Sequence, residues 1–510
     1  MRINRGVIAV AMLVALLTGC ADCGTAVSVN DGGNPIADAA ASDAAVNDLA
    51  GRDTSARDAA RPDRTGTDLA ATDQGSVDHG GPGSCGEVPQ FDQGLIPSIE
   101  IHVANGGDDD NNSGSFGSPF ATIQRGVQAA TPGTAVRIHA GTYAGGAWLE
   151  NVAGTAQTPI WIGGAPGETR PIINSGGEAM HLVKPTYVVV HDLEVTGTTA
   201  NGINCDDGGD YDNVQAAHHV IFRNLSIHDI GGDGNQDCLK LSGLNDFVVV
   251  DSDFARCGGA GSGSGIDHVG CHRGLIARNR FDQMSGNAVQ CKGGSFDLEI
   301  RWNTIVDGGE RGVNMGGSTD FQYFRPSLST TASNAEARRI RVIANLFTGS
   351  TVPFAFVGCV DCLAANNTIV DPTHWLLRIL QETVTGSGYT FEPCGNNRVA
   401  NNLFYFDHSA ISGEHVNIGT DTAPATFVFD HNLWSAHDSP SDSSVPLPST
   451  ETSAVVGQDP QFIAVGAETY HVSAGSPARA AGVAISGVVG DMSGGCYLDP
   501  PAIGAYEVSH

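Results

Sequence analysis

Short stretches that alternate apolar and polar residues recur along the chain, and each is followed by a sharp polar corner. Residues 273–294 show the unit: an alternating strand, an Asn at a corner, a second strand start, a polar turn and a third strand. Such strands present one face to a core. Setting the units in register gives nine corners, which are Asp192, Asn224, Ser252, Asn279, Asn303, Asn345, Asn367, Asn402 and Asn432.

The spacing of these corners predicts stacked coils. Asn279 and Asn303 are 24 residues apart, and Asn345 and Asn367 are 22 apart. Repeats of this length are typical of solenoids, in which each unit buries its apolar face only against its neighbours. Asn suits a corner because it tolerates left-handed backbone and can bond the Asn of the next coil. The pattern predicts an all-β solenoid over residues 96–456.

One helix is predicted before the coils. Ser118 is a good N-cap and Pro119 suits the first helical position. Residues 131–133, Thr-Pro-Gly, would end the helix. Its apolar face is formed by Phe120, Ile123, Val127 and Ala130.

Both ends of this region resemble a known superfamily. The acidic turn at residues 108–110, the helix and the sequence AGTY at 140–143 resemble the opening of bacterial pectate-lyase-like proteins. The resemblance implies a right-handed parallel β-helix with a short N-terminal capping α-helix, and a polyuronide-binding face on its first sheet. Residues 457–510, with the sequences GSPARAAG and IGAYE, resemble the C-terminal capping module of such proteins.

Composition narrows the choice of partners. The 510 residues carry a formal net charge of −30, which argues against nucleic acid because that affinity comes from Lys and Arg on phosphates. The chain has three lysines, Lys184, Lys240 and Lys292, so the position of each is informative.

The N-terminus reads as an export signal. Arg2 and Arg5 precede an apolar run at residues 7–17, too short to span a bilayer. The ending Leu-Thr-Gly-Cys at 17–20 resembles the bacterial lipobox, which implies that Cys20 carries the lipid. We expect an exported protein, either anchored to the outer membrane through that lipid alone or extracellular. The alternative is secretion without a lipid.

Residues 21–95 are predicted to be a disordered, Asp-rich tether. From 21 to 84 the segment holds 11 Asp, four Arg and no Glu, and Asp recurs every five residues from Asp38 to Asp78. That period matches neither helix nor strand, so no apolar face can form.

The third strand of each coil carries the candidate chemistry. Its inward residues are apolar, and the next residue of each strand points outward. These outward residues are Asn204, Lys240, Asp267, Gln290, Asn314, Ala355 and Arg378. Two positions further along lie Asp206, Ser242, Lys292 and Gly316. Because stacked strands are ~4.8 Å apart, neighbours in this stripe could act on one sugar unit.

The sequence GNAVQCKGG at 286–294 resembles the lysine-bearing strand of family 9 polysaccharide lyases. The resemblance implies β-elimination, in which a base removes the proton α to a carboxylate and a cation steadies the enediolate. Lys292 is the implied base, although it lies two positions after the family's lysine, where Gln290 stands. Lys240 and Asp267 are its predicted catalytic neighbours, and calcium, Arg378 or Arg311 would supply the cation.

Further residues complete the predicted site. The nearest substitutes for the family's calcium ligands are Asp206, Asp207 and Asp237. Substrate-binding roles are expected for Asn204, Gln290 and Asn314 in the stripe, and for Tyr323 and Arg325 in a loop insertion at 316–338. The aromatic residues of that insertion either stack on sugar or pin the loop to the solenoid.

Three activities remain open from sequence. A lyase would cleave an acidic polysaccharide, and a glycoside hydrolase would use two carboxylates, for which Asp237 and Asp267 could serve. A surface adhesin would hold a glycan without cleaving it. We expect a monomer. The twelve cysteines can form disulfides after export, but spacing alone does not give their pairing.

Overall fold

The chain winds into a parallel β-helix. The computed structural model describes residues 85–232, 234–259, 261–411, 413–463 and 470–508. The signal sequence, Cys20 and the tether up to residue 84 lie outside the described residues. Within them, the strands form three sheets of 15, 10 and 12 strands, and every pairing between sheet strands is parallel. No helix in these ranges is long and apolar enough to cross a membrane.

Sheet 1 contains the strands Ile99–Val103, Thr134–Ile138, Ile160–Gly164, Thr186–His191, His218–Arg223, Asn245–Val250, His272–Ala277, Ser295–Phe296, Glu299–Arg301, Ala337–Arg338, Arg341–Ile343, Cys359–Val360, Leu363–Ala365, Arg398–Ala400 and Val428–Asp430. Sheet 2 contains Ala147–Glu150, Met180–Val183, Ile203–Asp206, Leu239–Ser242, Ser264–Val269, Asn287–Lys292, Arg311–Gly316, Val352–Val357, Leu377–Leu380 and Val416–Ile418. Sheet 3 contains Thr142–Ala144, Ile172–Asn174, Glu194–Thr196, Ser226–Ile230, Asp253–Cys257, Arg280–Asp282, Thr304–Val306, Leu346–Thr348, Thr368–Val370, Leu403–Phe406, Leu433–Ala436 and Val455–Val456.

Each coil passes through sheet 1, sheet 3 and sheet 2 in turn, and this is the right-handed β-helix that the repeat predicts. Alternate side chains of all three sheets fill one interior. The predicted inward positions of sheet 2 are buried, with at most 1% exposure: Ile203, Leu239, Ile266, Val289, Val313, Phe354 and Leu377. The sheets run from Ile99 to Val456, inside the predicted bounds of 96–456.

A ladder of Asn side chains connects successive coils. The amide of Asn303 donates to Oδ1 of Asn345 over 2.9 Å, and that of Asn345 donates to Oδ1 of Asn367 over 3.0 Å. The same bond joins Asn279 to Asn303, Asn367 to Asn402 and Asn402 to Asn432. These buried amides therefore bond their neighbours along the axis, as the sequence predicts.

Two of the nine corners were predicted one residue too early. Arg223 pairs with Val250, so Leu225, not Asn224, lies opposite Ser252, whose hydroxyl oxygen accepts from the Leu225 N–H. By the same register, Asp192 precedes the ladder position. At each corner, the residue with left-handed backbone is the one that precedes the ladder position. This residue is not always Asn or Asp, and at three corners it is Arg278, Trp302 or Ala344. The ladder Asn is therefore selected by its side-chain bonds and not by its backbone.

The helix is Ile123–Gln128, with Thr122 rather than Ser118 as its N-cap, because the Thr122 hydroxyl oxygen accepts from the Arg125 N–H. It packs against the strands Ile99–Val103, Thr134–Ile138 and Ala147–Glu150. Its capping role stays a prediction. Four 3₁₀ turns are also described, at Phe321–Tyr323, His408–Ala410, Pro424–Thr426 and Pro440–Asp442.

The chain before the first strand is ordered further back than predicted. Residues 85–95 lie along the outer face of sheet 1, where Val88 is buried and Asp92 accepts a hydrogen bond from the Trp161 indole. A disulfide joins Cys85 to Cys496. The predicted tether is too long at this end, because these apolar contacts and the disulfide attach the segment to the solenoid.

The terminal cap was predicted at residues 457–510. In the structure, residues 470–508 lie along the side of the solenoid. The Trp302 indole donates to the Gly490 carbonyl, and the Gly504 N–H donates to the Asn401 carbonyl. Val488, Met492 and Tyr497 of this segment join residues 85–95 on the outer face of sheet 1. Other apolar residues of the segment, such as Val472 and Ile503, pack against sheet 3.

Candidate active site

A row of outward side chains crosses sheet 2, one from each strand. The pairing places Asn204, Lys240, Asp267, Gln290, Asn314, Ala355 and Arg378 side by side in this order. The predicted register of the stripe is therefore confirmed. The row extends further, through His181 to Trp148 on one side and to Asn417 on the other. We call these ten residues the polar row.

Lys292 stands beside the row, two residues after Gln290 on the same strand. It is in register with Val269, Ser242 and Asp206, but Gly316 pairs with Cys291 instead. A bulge after Gln290 causes this shift, so the predicted alignment of Gly316 with Lys292 is wrong by one residue.

Two lysines meet at one carboxylate. The ammonium of Lys240 bonds Oδ2 of Asp267, and the ammonium of Lys292 lies 3.5 Å from the same oxygen. Lys240 also lies 3.5 Å from Oδ2 of Asp237, whose Oδ1 accepts from the Ser264 N–H. We call Asp237, Lys240, Asp267 and Lys292 the lysine–carboxylate cluster.

The cluster is buried under its two ammonium groups. The side chains of Asp237 and Asp267 are 0% exposed, whereas those of Lys240 and Lys292 are 7% and 11% exposed. Oδ2 of Asp237 and Oδ1 of Asp267 have no hydrogen-bond partner among the described residues. Solvent therefore reaches the cluster at the lysine ends.

Burial and charge separate the two carboxyl groups. Burial raises the pKa of Asp237 to about 7, with Lys240 opposing the rise and the Asp267 charge adding to it. Burial acts in the same direction on Asp267, but the charges of Lys240 and Lys292 outweigh it and lower the pKa of that carboxyl. Asp267 is thus the carboxylate that ionises first, and Asp237 holds its proton to higher pH.

Three other row positions flank this cluster. The Asn204 amide donates to Oε1 of Glu178 over 3.2 Å, and Gln290 is half-buried beside Asn287. Asn314 is fully buried, and neither atom of its side-chain amide has a partner among the residues that the structure describes. All three predicted substrate-binding residues of the stripe therefore lie on the same face as the lysines.

Arg378 lies apart from the lysine–carboxylate cluster. Four strand spacings, about 19 Å, separate it from Asp267 along the row. Its guanidinium lies 4.5 Å from the centre of the Trp375 ring, and Nε donates to Asn417. The structure does not bring Arg378 to the atoms around Lys292, so the prediction that it is catalytic there is corrected.

The three predicted metal ligands do not converge. Asp206 accepts from His181 over 2.7 Å, Asp207 accepts from the guanidinium of Arg325, and Asp237 faces Lys240. No group of three or more His, Cys, Asp or Glu in the described ranges could hold a metal ion. Asp206, Asp207 and Asp237 therefore do not fit a calcium site. A calcium requirement stays a prediction, but these three residues would not be the ligands.

The insertion at 316–338 is pinned to the protein. Arg325 is buried, donates to both carboxylate oxygens of Asp207 over 2.7 and 3.3 Å, and lies 4.1 Å from the centre of the Tyr211 ring. Its carboxylate partner leaves it unsuited to bind substrate, which corrects that prediction. Phe321 stacks on Phe391, which the buried Phe324 also contacts.

Tyr323 is half-buried at the end of the turn Phe321–Tyr323, and its carbonyl oxygen accepts from Arg325. Phe321 and Phe324 thus attach the insertion to the solenoid, as the second reading predicts, and substrate binding by Tyr323 stays a prediction.

Sequence reasoning missed Glu336, which holds the insertion at its other end. This fully buried carboxylate accepts from the N–H and hydroxyl groups of Thr319, the hydroxyl of Thr383 and the N–H of Gly293, next to Lys292. Burial raises the pKa of Glu336, although these hydrogen bonds oppose the rise. Glu336 has no local motif, since its partners come from three separate segments.

Sequence reasoning also missed the far end of the row. His181 lies between Asp206 and Glu178, at 2.7 and 3.1 Å. Burial lowers its pKa, but the hydrogen bonds to Asp206 and Glu178 prevail and raise the pKa to about 9. Trp148 is 52% exposed and packs against this imidazole. Extending the predicted register by two coils would have found both residues.

No protein-family description matches the sequence, and no curated protein matches it. Several solved structures are similar. A pectate lyase, Pel9A, is 17% identical with a TM-score of 0.49, over 82% of this chain and 98% of that one. An alginate lyase from Paenibacillus sp. str. FPU-7 is 16% identical with a TM-score of 0.42, over 60% and 95%.

A GH136 lacto-N-biosidase from Eubacterium ramulus is 13% identical with a TM-score of 0.45, over 70% of this chain and 68% of that one. Because the sequence identities and TM-scores are this low, the assignment of the fold rests on the three sheets described above.

Proposed function

We propose that the chain is a carbohydrate-active enzyme that cleaves an acidic polysaccharide by β-elimination at the lysine–carboxylate cluster. One observation carries the proposal. Two of the three lysines in a chain of net charge −30 meet on one face and form the exposed part of an otherwise buried cluster. A polyanion would reach their ammonium groups first.

The roles follow from the contacts. Lys240 contacts two carboxylates and is held in place, so we assign it the cation that stabilises the enediolate. Lys292 makes the longer contact with Asp267 and is the more exposed, so we assign it the base. Its amine nitrogen takes the proton α to the uronate carboxylate. The C–O bond to the leaving sugar then breaks, a double bond forms, and the leaving oxygen takes a proton from water.

The exposed Trp148 is the proposed sugar platform of the row. It lies three strand spacings, about 14 Å, from Lys240, a distance that a few sugar units would bridge. A Trp148→Ala substitution would weaken substrate binding and raise KM, with less effect on kcat.

The experiment incubates the purified protein with pectate, alginate and glycosaminoglycans, with calcium and with a chelator. Ultraviolet absorbance from unsaturated uronide products supports β-elimination. If polymer binds and neither absorbance nor new reducing ends appear, the protein is a glycan-binding module and the proposal of cleavage is rejected. Loss of activity with the chelator would require a calcium site other than the three Asp residues considered above.

Glycoside hydrolysis is the second candidate, because the pKa values of Asp237 and Asp267 are driven apart. Such a pair offers one acid and one ionised carboxylate. Both side chains are fully buried, however, so substrate meets the lysines first. New reducing ends without ultraviolet absorbance would identify hydrolysis.

We further propose export with a lipid on Cys20, and hence a surface location facing extracellular polysaccharide. Growing cells with a clickable fatty acid should label the wild-type protein and leave the Cys20→Ser variant unlabelled. Equal labelling of the two, or none of either, would remove the anchor from the proposal.

A further inference from the structure

Three cysteines meet in the solenoid interior, outside the candidate active site. Cys359, Cys362 and Cys394 are 0%, 2% and 0% exposed. The Cys359 thiol is in hydrogen-bonding contact with the thiols of both Cys362 and Cys394. All three are free thiols in the structure.

The register selects one pair of the three. Val360 and Gly395 form a parallel bridge, so Cys359 and Cys394, each one residue earlier, face each other on neighbouring coils. That spacing puts their Cα atoms ~4.8 Å apart, inside the range of about 4.4–6.8 Å that a disulfide needs. Both side chains point into the same interior.

One amide holds this pair, and the third sulfur is bonded elsewhere. The Asn397 side chain donates to the Cys394 sulfur over 3.7 Å and accepts from the Cys359 thiol over 3.9 Å. The Cys362 sulfur instead accepts from the Ile340 N–H and donates to the Val360 carbonyl. Cys362 therefore touches Cys359, but the register places it opposite Asn397 and not opposite a cysteine.

We propose that Cys359 and Cys394 form a disulfide in addition to the two found among the described residues, Cys85–Cys496 and Cys238–Cys257, and that Cys362 stays a thiol. Each of the two thiols gives up one proton and one electron. The oxidant is a small-molecule or protein disulfide, which takes up both electrons and both protons and becomes two thiols. Because the three sulfurs are buried, the bond forms while the chain folds.

The bond would affect the site region indirectly. The closed loop contains the strand Leu377–Leu380 and Thr383, which donates to Glu336. It also contains Phe391, against which the insertion packs. The disulfide would thus fix the segment on which the 316–338 insertion rests.

The experiment refolds the full chain with glutathione disulfide, blocks free thiols with N-ethylmaleimide in denaturant, and digests with the protease Asp-N. Cleavage before Asp320, Asp361, Asp371 and Asp407 places the three cysteines on separate peptides, 320–360, 361–370 and 371–406. We expect 320–360 linked to 371–406, and 361–370 carrying one blocked thiol. The equally buried Cys205 and Cys291 should be blocked, and Cys238–Cys257 should be linked.

Two results would overturn the proposal. One is a link from peptide 361–370 to either of the others, which would mean that Cys362 is a partner. The other is blocked thiol on all three peptides while Cys238–Cys257 is linked, which would mean that the facing pair does not oxidise under conditions that form the Cys238–Cys257 bond.

Discussion

Oδ2 of Asp267 lies 3.5 Å from the ammonium of Lys292 and also accepts from the ammonium of Lys240. One carboxylate thus positions both cations on the exposed side of the cluster. We expect the buried Asp267 charge to matter mainly for stability and the Lys292 ammonium mainly for activity. Substitutions of the two residues can separate these effects.

Replacing Lys292 with Ala should lower kcat by about 10²–10⁴-fold, because a positioned general base contributes an acceleration of that size. Release of unsaturated product measures this rate. Lys184→Ala is the matched control. Lys184 directly follows the sheet 2 strand Met180–Val183, and it pairs with Asp210, which lies outside the cluster. Full activity in the Lys292 variant would exclude Lys292 as the base.

Replacing Asp267 with Asn should lower the free energy of unfolding by about 3 kcal/mol, because it leaves buried ammonium groups without their main partner. Denaturant unfolding measures the loss. Asp297→Asn breaks the exposed ion pair with Arg339 and should cost less than about 1 kcal/mol. Equal losses in the two variants would contradict the assignment of a buried pair.

His181 should make stability depend on pH in the alkaline range. Its folded pKa of about 9 lies above the ordinary value of 6.5, so the folded state binds the extra proton. The stabilisation is complete below pH 6.5 and is lost as pH rises through 9, by on the order of 3 kcal/mol. Unfolding of wild type and His181→Gln across pH 6–10 measures it; parallel curves would show that His181 does not contribute.

Asp237 should act in a lower pH window. Its folded pKa of about 7 lies above the ordinary 3.8, so the folded protein favours the neutral acid. Stability should therefore fall as pH rises from about 4 through 7, as the buried carboxyl loses its proton. The slope should be smaller in Asp237→Asn, measured by denaturant unfolding at pH 4–8. An unchanged slope would mean that Asp237 titrates normally.

The Asn ladder gives a further test. Asn345→Ala removes bonds to Asn303 and Asn367 and leaves buried backbone groups unpaired, which should cost about 2–3 kcal/mol. Asn224→Ala is the matched control, because Asn224 lies before the ladder position and should cost less than about 1 kcal/mol. A larger loss in the control would contradict the corrected register.

The polar row could be predicted from sequence because strands alternate with a period of two and coils stack in register. Once Ile203 and Leu239 were set inward, Asn204 and Lys240 had to be neighbours. A single bulge was enough to misplace Gly316, because a bulge leaves no clear mark in an alternating pattern.

Long-range contacts account for the other errors. Arg325 bonds Asp207, 118 residues earlier, and nothing near either residue predicts the pairing. The order of residues 85–95 depends on the disulfide to Cys496 and on the sheet 1 face. The alternation also does not separate a residue that turns the backbone, such as Arg278, from the Asn that follows it.

The Cys85–Cys496 disulfide decides how the fold bears a mechanical load. Cys85 lies beside Gly490, whose carbonyl bonds Trp302 near the middle of the solenoid. A pull on the chain that precedes Cys85 passes through the sulfur bridge into the C-terminal segment, and it does not peel the first strand away from its neighbour. The coils would then be loaded sideways, across many hydrogen bonds at once, and this geometry resists tearing better than opening one strand at a time.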